Sequence, residues 1–147
     1  MALRATSFRR AEPLGDTPFD IVVLNAEARH LRRKLITLQH GDEVLVDFER
    51  AVKLEHGDRL VLEDGREAEV IAAEEDLLEV RGRDAAHLIR LAWHIGNRHL
   101  AAQIEDTRIL IRRDRIIALM LQNLGAEVAE VRELFEPEHG AYHSHGH

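Results

Sequence analysis

Three glycine-centred turns constrain this chain more than any other feature. "QHGD" at Gly41, "EHGD" at Gly57 and "EDGR" at Gly65 separate short apolar-alternating runs within residues 19–73. These runs are "KLITL" (Lys34 to Leu38), "EVLVDF" (Glu43 to Phe48), "RLVL" and "EAEVIAA". Such runs are too short for stable helices, and glycine supplies the positive φ that tight turns require. Alternation punctuated by Gly and Asp about every ten residues is the pattern of a small all-β unit. The likeness of "HGDEVLV" to "HGDRLVL" needs no repeat, because two hairpins of similar register produce it. The basic stretch "ARHLRRK" reads as a solvated strand edge, since charge on an edge strand discourages pairing with another chain.

The period changes at Leu77. "LLEVRG" still alternates, with Leu78 and Val80 opposite Glu79 and Arg81. Asp84 then stands as an N-cap for "AAHLIRLAWHI", where Leu88, Leu91, Ala92 and Ile95 form one stripe and His87, Arg90 and His94 the polar one. Gly96 suits the helix exit. "AAQIE" and "RILIR" follow as strands. Asp114 caps a second helix with apolar positions Ile117, Met120, Leu121 and Leu124, ended by Gly125, and "AEVAEVRELF" is a last strand. Strand, helix, strand, strand, helix, strand is the split βαβ order of a ferredoxin-like sandwich. The expected fold class is therefore α+β. A β-rich domain spans residues 1–74 and a ferredoxin-like βαββαβ domain residues 75–136. Residues 137–147 form a flexible histidine-containing tail with almost nothing apolar to bury.

Composition narrows the chemistry. There is no cysteine, which removes disulfides, thiolate metal sites and cysteine nucleophiles together. A net charge of −7 argues against a nucleic-acid partner, which calls for a basic footprint. No apolar run approaches a membrane span, and the arginine-bearing opening "MALRATSFRRAEPLG" has no apolar segment behind it, so a cytoplasmic protein is expected. HExxH, GxSxG, phosphate-binding glycine loops and dinucleotide fingerprints are all missing, so no enzyme is expected.

Ten histidines are the compositional anomaly. Four fall in the closing "EHGAYHSHGH": His139, His143, His145 and His147. His143, His145 and His147 alternate with small residues between them, so in an extended segment their rings share one side, and neutral imidazole is a good ligand for borderline metals. A polar tail that keeps the chain soluble, or a cloning remnant, is the plainer alternative. In "WHIGNRH", His94 and His99 are five apart, about 140° on a continuous helix, too far to share an ion. His99 on the exit turn reads either as an ordinary polar turn residue or as half of a site that a two-fold dimer would complete. His40 and His56 precede turn glycines, His87 shares the solvent face with Arg90, and His30 lies in the basic stretch.

The segments "LEHGDRLVLEDGREAEVIAAEEDLLEV", "WHIGNRHLAAQIED", "RDRIIALMLQNLGAEVAEV" and "FEPEHGAYHSHGH" together resemble the urease accessory metallochaperones, which bring nickel to apo-urease. The "GNRH" tetrad and the "FEPE…GAY" stretch are the specific parts. The resemblance implies a β-rich protein-contact domain and a ferredoxin-like domain that forms a homodimer. It implies His99, from both subunits at the dimer axis, as the best-fixed metal ligand, with His143, His145 and His147, and His139 as an addition, completing coordination. It further implies Ni(II) as cargo, with Zn(II) or Cu(II) able to occupy the site. The implied partners are the urease accessory GTPase and the urease apoprotein assembly complex.

Two departures matter. Some relatives carry a stretch resembling "HHDHVL" before the second helix; here it is "RRDRII", with Arg112, Arg113 and Arg115, so those internal sites should be absent. The tail is also short, so about one tight ion per dimer is expected, with a second, weaker one on the tails. Binding should weaken as pH falls through the ordinary histidine range near ~6.5, because protonated imidazole cannot coordinate. Two other readings compete. A general nickel, zinc or copper buffer would need no urease partner, and a metal-dependent hydrolase would need a general base that the sequence around His99 does not offer.

Overall fold

The computed structural model describes residues 2–138. The chain divides into two compact units, Met1–Ala73 and Glu74–His147.

The first unit is a six-stranded sheet: β1 (Leu3–Arg9), β2 (Asp20–Leu24), β3 (His30–Thr37), β4 (Glu43–Lys53), β5 (Arg59–Leu62) and β6 (Glu67–Ala72), in the order β2-β6-β5-β1-β4-β3. The expected turns are real, and Gly41, Gly57 and Gly65 all have positive φ. Alternation places Val44, Val46 and Phe48 of β4 inward, joined by Leu60, Leu62, Ala68 and Val70 in one aliphatic core. Each Val, Leu or Phe among them contributes roughly 1.5–3 kcal/mol when fully buried. Strand β3 is the edge strand anticipated for "ARHLRRK", with only Leu31 and Ile36 buried. Strand β1 is the element that local pattern did not announce. It lies inside the sheet, parallel to β4 and antiparallel to β5, and only Ala5 of "LRATSFR" is buried.

Three polar groups, Arg29, His40 and His56, tie loops into this unit. Arg29 is fully buried and donates from Nε to the Leu54 carbonyl (3.2 Å) and from Nη1 to the Leu24 carbonyl (3.0 Å). Backbone carbonyls thus solvate a charge that burial alone would disfavour. His40 sits in its turn with Nδ1 2.8 Å from Oδ1 of buried Asp20, and its backbone N–H donates to Oδ2 at 3.1 Å. His56 Nδ1 accepts from the Ala72 N–H at 3.0 Å. Both histidines are turn residues with assigned hydrogen bonds.

The second unit runs β7 (Glu74–Arg81), α1 (Ala85–Asn97), β8 (Ala102–Ile104), β9 (Ile109–Arg112), α2 (Arg115–Asn123) and β10 (Glu127–Leu134). Its antiparallel sheet has the order β10-β7-β9-β8, with the fourth and second strands of the unit flanking the first and third as the split βαβ pattern requires. One face, carrying Leu78, Val80, Ile109 and Ile111, forms a core with Leu88, Leu91 and Ile95 of α1 and Ile117 and Leu121 of α2. Asp84 and Asp114 are the N-caps, each accepting main-chain N–H bonds from the first turn of its helix. The other face carries an ion-pair lattice in which Arg108 bonds Glu79, Glu105 and Glu133. Leu77 and Leu110 lie fully buried on that face.

Candidate metal site at the end of the first helix

Helix α1 does not stop at Gly96, as the sequence suggested. It continues to Asn97, because Ile95 is anchored in the core and holds the last turn in place. The turn residue is His99, the one non-glycine with positive φ (59°) among the described residues. The His99 N–H donates to the Gly96 carbonyl (3.0 Å) and the Leu100 N–H to the Ile95 carbonyl (3.5 Å). This pair of bonds is the Schellman termination, normally made with glycine at the left-handed position. Leu100 packs against the same core as Ile95, which fixes the turn from below. The His99 side chain is exposed.

A non-glycine residue in the left-handed region costs on the order of 1–2 kcal/mol, and such residues concentrate at functional sites. The turn therefore presents an exposed imidazole from a fixed stretch of backbone, off the helix, at some cost to the fold. His94 stays on the last helical turn, half-buried, with Trp93 edge-on to its ring at 5.1 Å.

Three further expectations resolve here. His87 is not on the solvent face but is buried. Its Nδ1 accepts from the Arg83 N–H (2.9 Å) and its Nε2 donates to the Leu124 carbonyl at the end of α2 (2.8 Å). It occupies the third helical position, where a side chain can reach back to satisfy a free N–H, and that local bond draws the ring inward. Two of the three arginines of "RRDRII" bond within the fold. Arg112 pairs with Glu75 and lies over the Phe135 ring, and Arg113 donates to the Leu77 and Val131 carbonyls. Among the described residues, no group of three or more His, Asp or Glu side chains is placed to hold a metal ion. His139, His143, His145 and His147 lie outside the described residues.

Both helices carry exposed apolar side chains. Ile89 is 70% and Trp93 64% exposed on α1, and Ile116 is 76% exposed on α2. No helix among the described residues is long and apolar enough to cross a membrane.

These features define a class: a two-unit α+β protein that displays one imidazole on a strained turn and carries a histidine-bearing segment at its C-terminal end. Comparison with known proteins specifies it further. Residues 5–73 match the N-terminal domain, and residues 75–147 the C-terminal domain, of the UreE urease accessory protein. Urease accessory protein UreE 1 of Brucella suis biovar 1 is 55% identical over 145 residues, covering 98% of this chain and 89% of its own. UreE of Agrobacterium fabrum is 54% identical, with 98% and 89% covered, and that of Rhizobium etli 53%, with 97% and 71%. The chain belongs to the UreE urease accessory protein family.

Proposed function

We propose that this protein is a cytoplasmic nickel metallochaperone that delivers Ni(II) to apo-urease, through a site made by His99 from two copies of the chain. The observation that carries this reading is the left-handed His99: an exposed imidazole held where the backbone favours glycine. One imidazole is a weak site, and a two-fold axis beside the turn would supply it twice. The exposed Ile89 and Trp93, about three and about two turns ahead of His99, support burial of this side of α1 against a second copy.

In this reading residues 75–136 hold metal and dimerise, while residues 1–74 contact the urease accessory GTPase and the apoprotein assembly. His143, His145 and His147, with His139, complete the coordination. A site closed by exchangeable imidazoles can pass its ion to a recipient one ligand at a time, as delivery requires. Zn(II) and Cu(II) would occupy the same nitrogen donors in vitro.

Nickel calorimetry with mass determination in solution, on wild type and His99→Ala, tests the proposal. It expects one tight ion per dimer in the wild type, lost in the variant while the dimer persists. Unchanged tight binding in His99→Ala would remove His99 from the site. Co-purification of the wild type with the urease accessory GTPase separates delivery from simple metal buffering.

A further inference from the structure

Strand β10 ends at Leu134 on one edge of the second sheet, and β8 is the opposite edge. The next four residues, "FEPE", link the two. Phe135 is fully buried, with the Arg112 guanidinium 5.0 Å over its ring. The Glu136 N–H donates to the side-chain oxygen of Gln103 (2.8 Å), and the Glu138 N–H donates to the Ala102 carbonyl (2.8 Å), both acceptors belonging to β8. Pro137, between them, has no N–H to satisfy and a fixed φ, so it adds stiffness without leaving a donor unpaired. Register places Gln103 beside Leu110 and Arg112 beside Leu77, on the face away from the helices.

The distances leave little slack. Three inter-strand spacings amount to roughly 14 Å, and four residues of extended chain reach at most about 14 Å. The first two residues of the tail expected from residue 137 are thus tied to the sheet rather than free. Ala102 is three residues after His99, so its Cα lies within about 11 Å of the His99 Cα by chain length alone.

We propose that Phe135–Glu138 is a strap that carries the chain across the sheet and roots the histidine-bearing segment on β8, beside the His99 turn. Phe135 and the Glu138 N–H are positioning groups. They touch no metal, but they shorten the tether over which His139, His143, His145 and His147 must search for the ion. This rests on the reading of those histidines as nickel ligands. Without the strap the tether would start at Leu134, on the far edge, and a longer tether lowers effective concentration roughly as the −3/2 power of its length. Together with the displaced root, this predicts a loss of nickel affinity of roughly fivefold.

The test is nickel calorimetry on full-length chains in a two-by-two design. Glu138→Pro removes the N–H that bonds Ala102, and Phe135→Ala removes the buried anchor. Each is made with the natural tail and with His139, His143, His145 and His147 all changed to alanine. The expected result is a several-fold weaker affinity with the natural tail and no effect in the alanine-tailed chain. Glu138→Pro guards against Phe135→Ala failing to fold. Wild-type affinity in both strap variants, with weaker binding in the alanine-tailed chain, overturns the strap and leaves the ligand reading standing. Equal weakening in both tails also overturns it, because the effect then passes through the fold. No effect of the alanine tail itself would sink the ligand reading and the strap with it. Amide exchange gives a metal-free check: Glu138 should be protected in the wild type and lose protection in Phe135→Ala, and a freely exchanging wild-type amide contradicts the strap.

Discussion

The two helices of the second unit end in the same hydrogen-bond pattern but with different residues at its critical position. At the end of α2, the Gly125 N–H donates to the Gln122 carbonyl (2.9 Å) and the Ala126 N–H to the Leu121 carbonyl (3.0 Å). At the end of α1, His99 and Leu100 make the corresponding bonds to Gly96 and Ile95. Gly125 has φ 88° and His99 φ 59°. One turn uses the residue that folding favours, and the other holds a histidine in the same left-handed conformation. The α2 turn serves as an internal control: it shows what sequence this termination takes when only stability is at stake. The difference is what the proposed role of the His99 side chain as a metal ligand would account for.

That contrast can be attacked experimentally, and the largest expected effect is on metal. His99→Ala should lower nickel affinity by two orders of magnitude or more, about 2.8 kcal/mol, whereas Gly125→Ala should leave it unchanged. Calorimetry on the pair checks this, and equal losses would erase the distinction between the turns. The next effect tests the brace between the helices. His87→Ala strips partners from the Arg83 N–H and the Leu124 carbonyl and should destabilise by about 2 kcal/mol in chemical denaturation, with nickel binding retained.

A smaller pair of effects should have opposite signs. A Cβ at Gly125 meets only ordinary contacts, the nearest being Arg83 Nη1 at 3.4 Å, so Gly125→Ala costs mainly the backbone term, about 1 kcal/mol. His99→Gly should be more stable than His99→Ala by a similar ~1 kcal/mol, because glycine relieves the same strain. Thermal unfolding of the four chains would show it. If His99→Gly melts no higher than His99→Ala, the turn at the end of α1 is not strained.

The smallest effect concerns pH. Hydrogen bonds from Arg108 hold Glu133 below the usual carboxylate range, and those from Arg81 and then Arg108 do the same for Glu79. A carboxylate with a depressed folded-state pKa contributes stability above its unfolded value and loses it as pH falls through the folded value. Arg108→Leu should therefore cost under about 1 kcal/mol per pair at neutral pH, and the gap to wild type should close in acid, below about pH 4. A gap that widens in acid would reverse the assigned sign.

Much of this was legible from local pattern. Alternating runs and turn glycines marked β3 to β6, and stripes at helical spacing marked α1 and α2 with their Asp84 and Asp114 caps, because periodicity and capping are properties of neighbouring residues. Placing His99 on a turn followed from the same reasoning, although the turn begins one residue later than Gly96 suggested. Strand β1 was not legible, since its partners Val44 to Val46 and Arg59 to Leu62 lie some forty to sixty residues away and only Ala5 is buried. His87 was misread because its polar position on the helix is overruled by a bond back to Arg83 and another to the end of α2.

The amino-acid sequence alone fixed the cysteine-free, histidine-rich donor set, the two-part division of pattern and the GNRH tetrad that points to the UreE family. Whether His99 is held in the left-handed conformation, and whether the chain after β10 is tied down near it, were decided by tertiary structure. Both depend on partners that no local window contains: Leu78, Val80, Ile109 and Ile111 in the core that receives Ile95 and Leu100 under the turn, and Ala102, Gln103 and Arg112 beneath a strap more than twenty residues further along. Side-chain chemistry is written residue by residue, but the conformation that makes it usable is imposed by packing between segments distant in sequence.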